Sequence, residues 1–207
     1  MTNVIGIILA GGRSSRMGED KAAMIFKDQS LLQNMITILS NTQVSKVVVN
    51  RNVTLAEPHS NSNLKHHKLS VIKDIIPDKG PLSGIHSALV NFPDANLLVV
   101  PVDIPLMSAT SLTALITAAN THKTNCRFTP ISANHIVNKS KPSALPLLIF
   151  NNNETRQALK YTLSQTDRYS VFQFCAQFPI VEVPLKNEAE LTNLNYPWQL
   201  SNINLTS

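Results

Sequence analysis

The chain has 207 residues, of which 43% are hydrophobic and 15% charged, a composition that suits one sizeable core and excludes a disordered chain. No apolar run reaches the roughly 20 residues that cross a bilayer, so no membrane segment is expected. The net charge of +5 favours anionic partners, but the Lys and Arg residues are scattered and aromatics make up only 5%, so a nucleic-acid surface is not expected.

The apolar stretch Val4–Ala10 follows "MTN", which carries no Lys or Arg. It therefore predicts a buried first strand over Val4–Leu9 rather than an export signal, in a cytoplasmic protein. A glycine-rich loop follows. "SLLQNMITILS" at 30–40 places Leu31, Leu32, Met35, Ile36 and Leu39 on one side of a helix, with Ser30 as its cap. "KVVVN" at 46–50 predicts a second strand, residues 51–67 a polar surface loop, and "LSVIKD" at 69–74 a third strand. Residues 77–92 predict a turn opening a helix, with Pro81 in its first turn. "ANLLVVPVDIP" at 95–105 predicts the most apolar strand, ending at Asp103, and residues 108–120 a helix with hydroxyl caps. The second half predicts strands at 126–131, 144–150 and 178–184, a helix over Glu154–Leu163, and a short helix after Pro197. Cys126 and Cys175 match no paired motif and are expected to be buried free thiols.

Strands alternating with helices over the first 120 residues predict an α/β fold: a mostly parallel central sheet with helices on both faces. Ligands of such sheets bind at the carboxyl ends of the strands. The unusual residues stand there: Gly11 and Gly12 after the first strand, Asn50 after the second, Asp74 after the third and Asp103 after the fourth.

In "LAGGRSSRMGEDK" at 9–21, Gly11 and Gly12 let backbone N–H groups approach a ligand, while Arg13, Arg16 and Lys21 supply positive charge. The loop is neither a Walker A loop nor G-x-G-x-x-G. A triphosphate suits it. One cation about 4 Å from a phosphate oxygen gains about 4 kcal/mol at an effective dielectric of about 20. Asp103 ends an apolar strand, where a carboxylate is costly unless it meets water or a cation. Mg²⁺ takes one or two carboxylates together with phosphate oxygens and water, so Asp103 is the candidate metal ligand. The alternative, a cap for the next helix, is weakened by the better caps Ser108 and Thr110.

"KGPLSGI" at 79–85 reads either as a helix start that meets a ligand edge through Gly80 or as a Pro-initiated helix packed tightly on the sheet. In "TNLNYPWQL" at 192–200, Asn193 and Asn195 alternate and would share a face of an extended segment. Taken alone, that segment reads as a turn and cap before a helix. The histidines show no ligand spacing, and no nucleophile motif of the G-x-S-x-G type occurs.

Taken together, "LAGGRSSRMGEDK", "VVVN" at 47–50, "VIKD" at 71–74, "GPLSGI" at 80–85, "PVDIP" at 101–105 and "NLNYP" at 193–197 resemble, in order, the molybdenum cofactor guanylyltransferase family. That family belongs to a superfamily of nucleotidyltransferases with a Rossmann-like fold. The resemblance implies GMP transfer from GTP to the molybdenum-loaded pterin phosphate, with Mg²⁺ and release of pyrophosphate. It implies that Leu9, Ala10 and Gly11 bind GTP through backbone, that Lys21 binds phosphates, and that Asn50 and Asp74 contact nucleoside or ligand groups. Asp103 would hold Mg²⁺ and Arg16 would neutralise charge on the transferring phosphates. Asn193 and Asn195 would face the pterin or complete the metal shell. Lys141 stands where relatives often carry the His of a His-Pro pair. A single domain is expected, with a nucleotide-binding half at 1–120 and a pterin half at 121–207, acting as a monomer with molybdenum-insertion and cofactor-delivery proteins as partners. Two rivals use the same residues: a cytidylyl- or sugar-phosphate nucleotidyltransferase, and a catalytically silent nucleotide-binding module.

Overall fold

The computed structural model describes residues 3–11, 20–52, 69–130, 142–165 and 169–194. The first strand, β1 (Val4–Leu9), is buried along its whole length. A 3₁₀ turn at Lys21–Ala23 leads into a small hairpin of β2 (Ile25–Phe26) and β3 (Gln29–Ser30), then into α1 (Leu31–Ser40). Ser30 caps α1, its Oγ accepting from Gln33 N at 3.1 Å. Next come β4 (Lys46–Asn50), β5 (Ser70–Ile72), α2 (Pro81–Asn91), β6 (Asn96–Pro101) and α3 (Ala109–His122). The second half supplies β7 (Asn125–Pro130), β8 (Leu147–Ile149), α4 (Asn153–Ser164), α5 (Val171–Cys175), β9 (Ile180–Leu185) and a 3₁₀ turn at Glu188–Leu191.

The main sheet has seven strands in the order β5-β4-β1-β6-β8-β7-β9. Neighbours are parallel except at β8, which runs antiparallel to both β6 and β7. The alternation of side chains along each strand feeds two apolar layers. Val4 and Ile8 of β1 face the layer built with α1 and α3, whereas Ile5, Ile7 and Leu9 face the layer built with α2, α4 and α5. The expected sheet with helices on both faces is what the chain forms.

Strand ends differ modestly from the sequence reading. β6 stops at Pro101, level with Leu9 of β1. Asp103 lies two residues farther on, in the turn. β5 likewise ends at Ile72, short of Asp74. The β2–β3 hairpin, α5 and both 3₁₀ turns escape sequence reading, being too short to carry a period. The helix expected after Pro197 lies outside the described residues.

Cys126 and Cys175 are free and buried. Burial pushes both thiols up to about 11; beside Cys175, the Arg127 charge pulls weakly the other way. Native thiols should therefore resist alkylation at pH 8, where about one part in a thousand would be thiolate. Both should react at once in denaturant, and fast native labelling would contradict this burial. The folded chain keeps these protons to higher pH than the unfolded one. Their contribution to stability should thus hold below about pH 9 and be lost as pH rises toward 11, measurable by denaturant titration.

Candidate active site

Parallel register places Leu9 opposite both Asn50 of β4 and Pro101 of β6. The chain therefore leaves three neighbouring strands along one line. Backbone bonds extend that line outward: Ala10 N donates to Asn50 O at 3.0 Å, Arg51 N to Ile72 O at 2.9 Å and Val102 N to Leu9 O at 3.2 Å. On one side of β1 the order runs to β4 and β5, and on the other to β6, so this edge is a topological switch point, the usual ligand crevice of such sheets.

Lys21 and Asp103 meet here. Lys21 Nζ donates to Asp103 Oδ2 at 3.1 Å, joining residues 82 positions apart. Both side chains are mostly covered, at 24% and 20% exposed. Lys21 is aimed by its local turn: Asp20 Oδ1 accepts from Ala22 N at 3.2 Å, and Ala22 and Met24 are buried in the α1–α3 layer. Asp103 is held from two sides. Asn34, buried on α1, donates through Nδ2 to Pro105 O at 3.0 Å, and Gln29 Nε2 donates to Asn34 Oδ1. From the far end of the chain, Leu194 N donates to Asp103 O at 2.8 Å. That segment is tied down by Glu190, whose buried Oε2 accepts from Ser108 N at 2.9 Å at the start of α3.

Asn50 and Asp74 form a second group. Asn50 Nδ2 donates to Asp74 Oδ1 at 2.9 Å, and Asn52 Nδ2 donates to Asp74 Oδ2 at 2.7 Å. Asn52 Oδ1 accepts in return from Asp74 N at 2.9 Å. Two carboxamides thus fix one carboxylate, and one of them, Asn50, lies against Gly11. Arg51 lies buried between them in sequence, and its guanidinium pairs with Asp20. The helix α2 closes this corner. Its N-cap, Gly80, has φ +57° and ψ −139°, a conformation that disfavours any side chain, and no side chain caps the helix. Gly84 comes so close that a Cβ there would lie 2.4 Å from Asn50 Oδ1 and 2.6 Å from Leu9 Cδ2. Of the two readings of "KGPLSGI", tight packing on the sheet accounts for Gly84.

Residues 6–177 match the MobA-like NTP transferase domain. The chain belongs to that family. It is 31% identical over 202 residues to the molybdenum cofactor guanylyltransferase of Xanthomonas euvesicatoria pv. vesicatoria, covering 96% of this chain and 93% of that one. Its fold is similar to the crystal structure of molybdopterin-guanine dinucleotide biosynthesis protein A from Archaeoglobus fulgidus, with a TM-score of 0.65, 16% identity, and coverage of 96% and 95%. It is also similar in fold to Rv0371c of Mycobacterium tuberculosis H37Rv, crystallised as a complex with manganese, with a TM-score of 0.67, 14% identity, and coverage of 100% and 99%.

Within this MobA-like NTP transferase domain, the structure gathers Leu9, Ala10, Gly11, Lys21, Asn50, Asp74 and Asp103 along one sheet edge. Gly80 stands at the start of the helix that packs over Asn50, and exposed Asn193 directly precedes the Leu194 N–H bonded to Asp103. Gly12, Arg16, Lys141 and Asn195 lie outside the described residues. Sequence reading missed Asn34, Arg51, Asn52 and Glu190. The signal for Asn34 was present: a carboxamide on the apolar face of α1, between Leu31 and Met35. Gly84→Ala is expected to destabilise the fold by about 1–3 kcal/mol, because Asn50 must leave Asp74 to admit the methyl. Chemical denaturation measures this, and an unchanged midpoint would show that the corner yields freely.

Proposed function

We propose that this nucleotidyltransferase moves GMP from GTP to the terminal phosphate of the molybdenum-loaded pterin. The single observation that carries the site is the Lys21–Asp103 contact, 3.1 Å at the switch point of the sheet. The guanylyl assignment is supported by family membership and by the 31% identical relative. A terminal phosphate oxygen of the pterin attacks the α-phosphorus of GTP, a new P–O bond forms, and the bond to the bridging oxygen of pyrophosphate breaks. Pyrophosphate leaves with that electron pair.

The chain's own groups position the reactants and balance their charge. Backbone from Leu9 to Gly12 receives the nucleotide, and Asn50 and Asp74 contact nucleoside groups. Lys21 exchanges the Asp103 carboxylate for phosphate oxygens when GTP arrives, which frees that carboxylate for a cation. The donor set fits Mg²⁺. One carboxylate, here that of Asp103, with phosphate oxygens and water around the same ion is the usual habit of Mg²⁺. When bound, the ion would neutralise charge on the phosphates. Arg16 adds positive charge to the leaving pyrophosphate, and Gly80 lines the nucleotide edge. Asn193 and Asn195 serve the pterin or the metal shell, and Lys141 pairs with the pterin phosphate. The bond from Leu194 to Asp103 supports one domain in which residues 121–207 carry the pterin half beside the nucleotide half at 1–120. The reading includes a cytoplasmic monomer that works with molybdenum-insertion and cofactor-delivery proteins; unpaired thiols accord with a reducing compartment.

Asp103→Ala should keep the circular dichroism spectrum and lose turnover by about 3–4 kcal/mol, about 150- to 900-fold. A near-normal rate with Mg²⁺ would remove Asp103 from the mechanism. Lys21→Ala should weaken GTP binding in calorimetry, and an unchanged dissociation constant would take Lys21 out of the site. In competition with Mg²⁺ present, GTP should displace CTP; preference for CTP would overturn the guanylyl reading.

A further inference from the structure

Arg51 has no part in the reaction as derived above, yet its placement is unusual. A guanidinium is seldom buried unless paired. The Arg51 side chain is only 9% exposed, against 42% for its partner Asp20. Its Nε is buried and meets no partner among the described residues. Its backbone is fixed to the sheet, with Arg51 N donating to Ile72 O at 2.9 Å, and its Cα lies 3.9 Å from the place a Cβ on Gly11 would occupy.

Asp20 faces two ways. Its Oδ2 takes the Arg51 guanidinium, and its Oδ1 accepts from Ala22 N to cap the 3₁₀ turn that begins with Lys21. A continuous set of bonds therefore runs from the sheet through Arg51 and Asp20 to the turn, and the Lys21 ammonium ends on Asp103. Lysine is a point charge on a flexible stem. Its charge reaches one place reproducibly only if the stem's root is held by something rigid. The geometry points to Arg51 as a positioning residue: acting through Asp20, it fixes the turn that presents Lys21 to the triphosphate. This rests on the reading that Lys21 binds the phosphates. Because Asp20 already balances its charge, Arg51 acts on the nucleotide through Lys21 and not as a second phosphate-binding cation.

The test is a double-mutant cycle read as the dissociation constant for GTP with Mg²⁺, measured by calorimetry without the pterin. Arg51→Ala and Asp20→Asn should each weaken GTP binding about tenfold, and by less than about twofold in a Lys21→Ala background, as expected for residues in one network. Arg51→Lys, which returns a cation to Asp20, should recover most of the affinity. Thermal midpoints measured alongside should fall equally in both backgrounds, so a purely structural role would not reproduce the loss of coupling. Equal affinity losses in both backgrounds, or no loss from Arg51→Ala, overturn the proposal. If Arg51→Ala does not fold, Asp20→Asn completes the same cycle. A Lys21→Ala chain that binds GTP normally overturns the triphosphate reading together with this proposal, whereas additive losses overturn this proposal alone.

Discussion

Parallel pairing in register is the constraint on which the site depends. Leu9 is level with Asn50 on one side and with Pro101 on the other, so three chain exits open at the same height. A slip of one residue in either ladder would move every side chain of that strand to the opposite layer and break the close packing of both. The two apolar layers therefore hold the register, and the register holds the edge. The covered carboxylate of Asp103 and the ammonium of Lys21 meet because of packing that occurs well below them.

The polar groups at that edge are tied to the rigid layers through buried carboxamides and carboxylates. Asn34 reaches from α1 to the loop after Asp103, and Glu190 anchors the last described segment to the start of α3. Each satisfies a backbone group that burial would otherwise leave unpaired, a cost of about 1–3 kcal/mol. The same bonds stabilise the fold and hold the site's geometry. Gly84 contributes by absence, since only a residue without a side chain lets α2 lie against Asn50 and Leu9.

Much of this was legible in the sequence. Unbroken apolar runs such as Val4–Leu9 and Val47–Val49 announced strands covered on both faces, and Ser30 and Ser108 announced their helices as caps. The position of Asn50 at the end of its strand, and of Asp74 and Asp103 just beyond theirs, followed from the alternation of elements. The Lys21–Asp103 contact did not, because no local pattern specifies a bond across 82 residues. Arg51 was hidden for a related reason. It opens a stretch that reads as a polar surface loop, and only the fold shows that its side chain turns inward to Asp20. The antiparallel insertion of β8 between β6 and β7 was equally beyond local reading, since a short apolar run carries no direction.

The bond from Leu194 to Asp103 has a consequence for biosynthesis. Translation proceeds from the amino terminus at about 5–20 residues per second, and domains fold as their parts emerge. The glycine turn, Lys21 and Asp103 all leave the ribosome well before Leu194, whose fully buried side chain packs into the layer beneath Asp103. A nascent chain thus passes through a stage in which Lys21 and Asp103 are present but the loop bearing the carboxylate lacks its bond from Leu194. The loop that carries Asp103 thus reaches its final geometry only after residue 194 has been made.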